Sequence, residues 1–261
     1  MKLNVVPPRT GLLWVRLGIR TFLRQPLALA GLFFMYMAVV LVVTQIPLVG
    51  MVIGGILVPA ATLGLMAATA EAASGRFPMP TVLVSAFRAG RDRLRSMLVL
   101  GVIYTVASVI ATALGSLLAG GTVPAAVPGA TPEQPQVDTG LLVTLLLHTP
   151  LFLMFWHAPA LVHWHGITPA KSLFFSVVAC WRNLGALLVY GLAWMGVFLL
   201  VGTVLGLLGA VAGGANLARA VMVPAALLMA AMFTSSIWFT FRDSFTADEP
   251  ACPPAPEADN A

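Results

Sequence analysis

Six apolar runs cross the sequence, at 27–46, 49–70, 97–119, 141–163, 184–211 and 217–240. Each is long enough to carry a helix through a bilayer, which takes about 20 residues. Lipid cannot satisfy free backbone N–H and C=O groups, so each run is predicted to be a helix. The segments before the odd-numbered runs have another pattern. Within 8–24, Leu12, Leu13, Leu17, Phe22 and Leu23 are interspersed with Arg9, Arg16, Arg20 and Arg24. That spacing suits a helix lying in the membrane interface with its cations on headgroups. The stretch "TVLVSAFRAGRDRLRSM" at 81–97 has the same character. "AKSLFFSVVACWRN" at 170–183 is more apolar and is expected to dip into the bilayer as a partly re-entrant segment.

These patterns recur. "LVPAATLGLMAA" (57–68), "HAPALVHWHG" (157–166) and "MVPAALLMAAMF" (222–233) each place Pro-Ala late in an even-numbered run. Basic segments at 8–24, 80–95 and 169–182 each start at a proline, end in arginine and lead into an apolar run that reaches Tyr36, Tyr104 or Tyr190. Gly75, Pro78, Ser85 and Arg91 have the spacing of Gly166, Pro169, Ser176 and Arg182. The expected fold is an all-α membrane protein with six transmembrane helices, built as three parallel repeats of an amphipathic cytoplasmic helix plus a transmembrane hairpin. Residues 1–26 form a cytoplasmic amphipathic segment, 27–242 the transmembrane domain, and 243–261 a disordered cytoplasmic tail, Pro-rich and acidic.

Composition sharpens this picture. Of the 261 residues 59% are hydrophobic and 9% charged, where a soluble domain has roughly a quarter charged. The first 26 residues are too long and too evenly basic for a signal peptide, so they are expected to stay attached. Orientation follows from the cations, which are retained on the cytoplasmic side of spans. With the N-terminus inside, thirteen Lys and Arg residues fall inside and only Arg219 outside. The loop at 120–139 carries no cation and holds Glu133 and Asp138, as expected of a segment facing away from the cytoplasm. The formal charge of +5 therefore reads as a topology device and an attraction to anionic lipids, with Arg16, Arg20, Arg24, Arg91, Arg95 and Arg182 as candidate headgroup contacts. Membrane lipids are the expected partners, with a membrane-protein partner or a second copy as further candidates. No nucleic-acid role is expected.

Candidate chemistry is sparse. None of the six runs holds Asp, Glu, Lys or Arg away from its ends, which argues against a carrier driven by carboxylates. No phosphate-binding loop, nucleophile elbow, zinc-protease helix or carboxylate pair is present. Cys180 and Cys252 lack CxxC spacing and fall on the reducing side, so no disulfide is expected. The four histidines are His148, His157, His163 and His165. Metal ligands on one helix sit three or four residues apart. At about 100° per residue only His157 and His165 point alike, and they are separated by roughly 12 Å of helix rise. No metal, haem or other cofactor is expected. His163, Trp164 and His165 read as an interfacial belt. A transporter would use a central cavity lined by Tyr104, Thr105, His148, His157 and Tyr190, with helices kinked at Pro59, Pro159 and Pro224. Small residues at Gly202, Gly206, Gly209 and Gly213, at Ala107, Ala111, Gly115 and Ala119, and at Gly50 and Gly54 are expected to pack helices within one bundle rather than between copies.

With "MKLNVVPPRTGLLWVRLGIRTFLRQPLALAGLFF" at its start and "APALVHWHGITPAKSLFFSVVACWRNLGALLVYG" following the fourth run, the chain resembles an uncharacterised family of proteobacterial multi-pass inner-membrane proteins over most of 1–242. It is more loosely similar to the membrane domain of glycerophosphodiester phosphodiesterases, whose catalytic domain is missing here. The resemblance implies a compartment and an architecture and transfers no functional residues. The chain thus reads as a non-enzymatic scaffold or accessory subunit of the inner membrane with both termini cytoplasmic, and alternatively as a transporter of a small or lipid-like solute.

Overall fold

A computed structural model describes residues 2–47, 49–118, 139–212 and 214–246. The loop at 120–138 and the tail from 247, with Cys252, lie outside the described residues, as do the side chain of Arg219 and Gly213. Helices dominate. In chain order they are α1 (Thr10–Arg24), α2 (Pro26–Thr44), α3 (Val49–Ala73), a 3₁₀ turn (Pro80–Val84), α4 (Ser85–Arg88), α5 (Arg91–Leu118), α6 (Thr139–His165), α7 (Pro169–Arg182), α8 (Leu184–Ala212) and α9 (Gly214–Ser244). Six of them, α2, α3, α5, α6, α8 and α9, are long and apolar enough to span a membrane. Two two-residue strands, β1 (Lys2–Leu3) and β2 (Phe245–Thr246), pair antiparallel and join the two ends of the described chain.

The breaks between helices have local causes. Gln25 precedes a proline, a position from which the helical region is disfavoured, and adopts φ −140° and ψ 60°. Pro26 then opens α2, where its missing N–H costs nothing. At the end of α3, Gly75 takes φ +81°, and the N–H groups of Gly75 and Arg76 cap the carbonyls of Ala72 and Glu71. Gly166 closes α6 with φ +64°.

In three places a shorter helical segment precedes two long helices, in the order expected of the three units. The second leading segment differs from expectation. It is a 3₁₀ turn followed by a single turn of helix, broken from α5 at Gly90, whose φ is +98°. The basic residues Arg91 to Arg95 form the first turn of α5 instead of ending an interfacial helix.

The first leading helix also departs from a simple surface anchor. α1 packs on α8 and α9 and touches α3, with Trp14 fully buried and Val15 and Phe22 nearly so. Its glycines allow this approach. A methyl group on Gly11 would strike the Ala186 carbonyl of α8, and one on Gly18 would strike Ser236 of α9. The opposite face of α1 exposes Arg16, Arg20 and Arg24. α7 buries Ser172, Ser176, Ala179 and Cys180 against α6 and leaves Phe174 and Trp181 exposed.

α3 is central, touching α2, α5, α6 and α9. One aromatic core joins Trp14, Trp156, Tyr190, Trp194 and Phe239. A second packs Leu63, Leu100, Leu151 and Phe155, and a third Phe22, Leu29, Phe33 and Leu65. Leu188, Leu192, Met195 and Leu199 of α8 are exposed at spacings of four, three and four, which is one apolar stripe along the helix. Gly202 and Gly206 correct the expected packing pattern. A methyl group on either would meet no described atom within 4 Å, whereas one on Gly115 would strike Thr144 of α6. Gly202 and Gly206 have no such neighbour because the inner face of α8 is supplied by Ala186, Tyr190 and Trp194, whereas Gly209 is buried.

Several junctions meet at one end of the bundle. Gln25 Nε2 donates to the Arg76 carbonyl at 3.2 Å. Asn183 Oδ1 accepts from the Val6 N–H at 2.9 Å, and its Nδ2 donates to the Asn4 carbonyl at 3.1 Å. Asn4 N–H in turn donates to the Ser244 carbonyl at 2.9 Å. Trp164 stacks on Phe241 with centroids 5.2 Å apart. The N-terminal strand and the ends of α1, α3, α6, α7 and α9 therefore share one side, as an even number of spans requires.

Candidate functional site

The most polar part of the interior is a seam between α6, α7 and α9. Thr240 Oγ1 donates to the Ile237 carbonyl at 2.7 Å, which uses its single proton. It must therefore accept from both Trp156 Nε1, at 2.9 Å, and His157 Nε2, at 3.2 Å. This assigns the Nε2–H tautomer to His157. Ser176 of α7 bridges a turn of α6: its hydroxyl donates to the Leu153 carbonyl at 2.8 Å and accepts from the His157 N–H at 3.0 Å. Cys180, one turn along α7, places its Sγ 3.9 Å from His157 Nδ1 and 3.8 Å from the Leu153 carbonyl. Phe245 and Phe241 close the pocket around the ring, with centroids 5.5 and 6.1 Å away.

This Cys–His contact lies 23 residues apart in sequence and escapes a search for local motifs. The signal that finds it is the i, i+4 spacing of Ser176 and Cys180, which puts both on one face of α7. It is not a nucleophile–base pair. Burial pushes the Cys180 thiol up to about 12, and the Ser176 hydrogen bond offsets that only in part. At neutral pH the sulfur is a thiol, and the thiolate is the reactive form.

A second polar node lies deeper between α8 and α9. Ser236 Oγ donates to the Phe233 carbonyl at 2.6 Å and accepts from Trp194 Nε1 at 3.1 Å and from the Tyr190 hydroxyl at 2.6 Å. Tyr190 and Trp156 meet edge to face at 6.0 Å, so the two nodes share one aromatic core.

Tyr104, Thr105 and His148 line a third region, an open cavity of about 500 Å³ between α3, α5 and α6. Thr105 donates to the Gly101 carbonyl at 2.9 Å, and His148 Nδ1 lies 2.8 Å from the Thr144 carbonyl. His157 and Tyr190 are fully buried elsewhere. The five residues named for a central cavity are thus divided: three border this opening and two belong to the packed core. His163 rests against Trp164 and His165 against Phe241, and no three His, Cys, Asp or Glu side chains gather among the described residues.

The six candidate headgroup arginines are all exposed. Arg16, Arg20 and Arg24 border an open groove between α1 and Val197 of α8. Arg91 and Arg95 occupy the start of α5, and Arg182 ends α7. No described carboxylate pairs with any of the six. The ion pair among the described residues joins Arg242 Nε to Asp243 Oδ1 at 2.7 Å, with the guanidinium also 5.3 Å from the centre of Trp238.

A probable inner membrane protein of Burkholderia thailandensis is 37% identical over 265 residues, an alignment that takes in 98% of this chain and 98% of that protein. This chain belongs to that protein's family. The shared length covers all six spans and the leading helices, so the family extends over the whole bundle described above. No family model and no solved structure matches the chain. The looser likeness to the phosphodiesterase membrane domain finds no support in these comparisons.

Proposed function

We propose that this chain is a non-enzymatic inner-membrane protein, with both termini cytoplasmic, that acts as a scaffold or accessory subunit and engages anionic lipid at its cytoplasmic face. One observation carries the reading: the buried polar side chains of the aromatic core are spent on one another. Trp156, His157, Ser176 and Thr240 form one bonded seam, and Tyr190, Trp194 and Ser236 another. Networks that satisfy each member rigidify a core and leave no group free to pass a proton or an ion. The inner-membrane placement is supported by the named compartment of the relative, and the orientation by the thirteen cations expected inside. Arg16, Arg20 and Arg24, exposed along one groove, supply the lipid contact. The test is co-purification from native membrane in mild detergent. The expected result is a stoichiometric protein partner together with anionic lipid. A monodisperse protein free of partner, combined with saturable protein-dependent solute flux in liposomes, overturns the reading.

A second reading, a transporter of a small or lipid-like solute, draws on the opening lined by Tyr104, Thr105 and His148. It gains weight if liposome flux is seen and is abolished by His148→Ala, and it loses if that variant transports normally.

A further inference from the structure

We propose that the 3₁₀ turn and α4 form a site for one anionic phospholipid, with its phosphate in a basic cleft on one side of the turn and an acyl chain in an apolar groove on the other.

The cleft, of about 470 Å³, lies between α3, the turn, α4, α5 and the end of α6. Its polar lining includes Glu71, Arg76, Ser85, Arg88, Arg93 and His163. Three guanidinium groups thus face one carboxylate, and no described carboxylate forms an ion pair with any of the three. Two polar atoms of this lining, Ser85 Oγ and His163 Nδ1, are buried without a hydrogen-bond partner. Orphaned buried groups of this kind are costly, and both can donate to a phosphate oxygen. Neither was singled out by the sequence as a ligand contact. The spacing that equates Ser85 with Ser176 does bear on it, since Ser176 has its partners on α6 and Ser85 Oγ has none.

The groove, of about 450 Å³, is bordered by Met35, Tyr36 and Val39 of α2, Leu57 and Ala61 of α3, and Phe87 of α4. Thr81 in the turn lines both the groove and the cleft, so a single molecule can straddle it. Both volumes lie within the roughly 300–1,000 Å³ of small-molecule sites. The turn itself is built for the lipid boundary. Phe77, Met79, Val84 and Phe87 are exposed apolar side chains directly beside the arginines, the pairing of features that holds a segment at the headgroup level. A phosphate alone would use the cleft and leave the groove empty. A neutral lipid would use the groove and leave the arginines uncompensated. An anionic phospholipid fits both.

The inference deepens the lipid-engaging reading above by naming a site away from Arg16, Arg20 and Arg24. The test uses the full chain in mild detergent, loaded with phosphatidylglycerol or with phosphatidylcholine of the same chains, with bound lipid counted by native mass spectrometry. Phosphatidylglycerol is expected to be retained at least tenfold better. The double substitution Arg88→Gln/Arg93→Gln is expected to weaken its binding about thirtyfold, a factor of about five for each cation near an anionic headgroup. Ala61→Phe, or Val39→Trp at a more exposed position, plugs the groove and should cut retention with all arginines in place. Equal retention of the two lipids, or no loss in the arginine variant, overturns the proposal. Full displacement by millimolar inorganic phosphate, with no effect of either plug, assigns the cleft to free phosphate and also overturns it. Because retention in detergent does not depend on orientation or on a protein partner, its failure and the failure of the scaffold reading are separately visible.

Discussion

Trp14 Nε1 donates to Asp243 Oδ2 at 2.9 Å, tying the fully buried ring of α1 to the last turn of α9 across 229 residues of sequence. The same carboxylate holds Arg242 through its other oxygen. α1 is therefore part of the bundle, and its removal from α9 exposes an indole as well as breaking a bond.

Replacing Asp243 by alanine leaves the indole N–H unpaired inside the protein. The expected loss is about 1–3 kcal/mol, read as a lower unfolding temperature in detergent. Asp243→Asn retains an acceptor and should lose less than half as much.

Thr240→Val is nearly isosteric but removes the one oxygen that serves both Trp156 and His157. Two buried donors lose their acceptor, so the expected destabilisation is about 2–4 kcal/mol. Thr240→Ser, which keeps the hydroxyl, should cost under about 1.5 kcal/mol, as a lost methyl does. Equal losses in the two variants would assign the seam to shape alone.

The glycines separate into two classes that a stability measurement resolves. Gly18→Ala forces α1 away from Ser236 and should cost about 1–3 kcal/mol, the penalty of overpacking. Gly206→Ala meets open space and should be neutral or slightly stabilising, since alanine is the better helix former.

Cys180 should be silent in the folded protein. With Cys252→Ser as background, its reaction with a maleimide at pH 8 is expected to be roughly a thousandfold slower than that of a free thiol, because a pKa near 12 leaves so little thiolate. The unfolded thiol ionises near 8.5. The folded value lies above it, so this group does not affect stability below about pH 8.5. Between there and about 12 the unfolded state alone releases the proton, and stability falls as pH rises. Cys180→Ala should remove that part of the alkaline decline.

The six spans were legible because lipid leaves an apolar run of this length almost no alternative to a helix. Their ends were less so. α5 begins at Arg91 and α9 runs to Ser244, several residues beyond the apolar runs that start at 97 and end at 240. Hydropathy marks where lipid stops, and a helix can continue into the polar zone. The burial of α1 was hidden for another reason. An amphipathic stripe is the same whether it faces lipid or α8 and α9, and only Gly11 and Gly18 on that stripe hint at a close protein neighbour. Gly202 and Gly206 show the converse, since small-residue spacing tells how close a neighbour can come and not whether one is there. At the seam, Pro159 and His157 stand out in the sequence, whereas the residues that fix His157 belong to α7 and α9, 19 and 83 positions away.

The proposed topology has six spans with both ends in the cytoplasm. The direct measurement is labelling by a membrane-impermeant maleimide in a Cys180→Ala/Cys252→Ser background, with single cysteines introduced by Thr131→Cys and Ala247→Cys. Position 131 is expected to react in spheroplasts and not in inverted vesicles, and position 247 the reverse. Labelling of both positions from the same side would contradict the six-span topology.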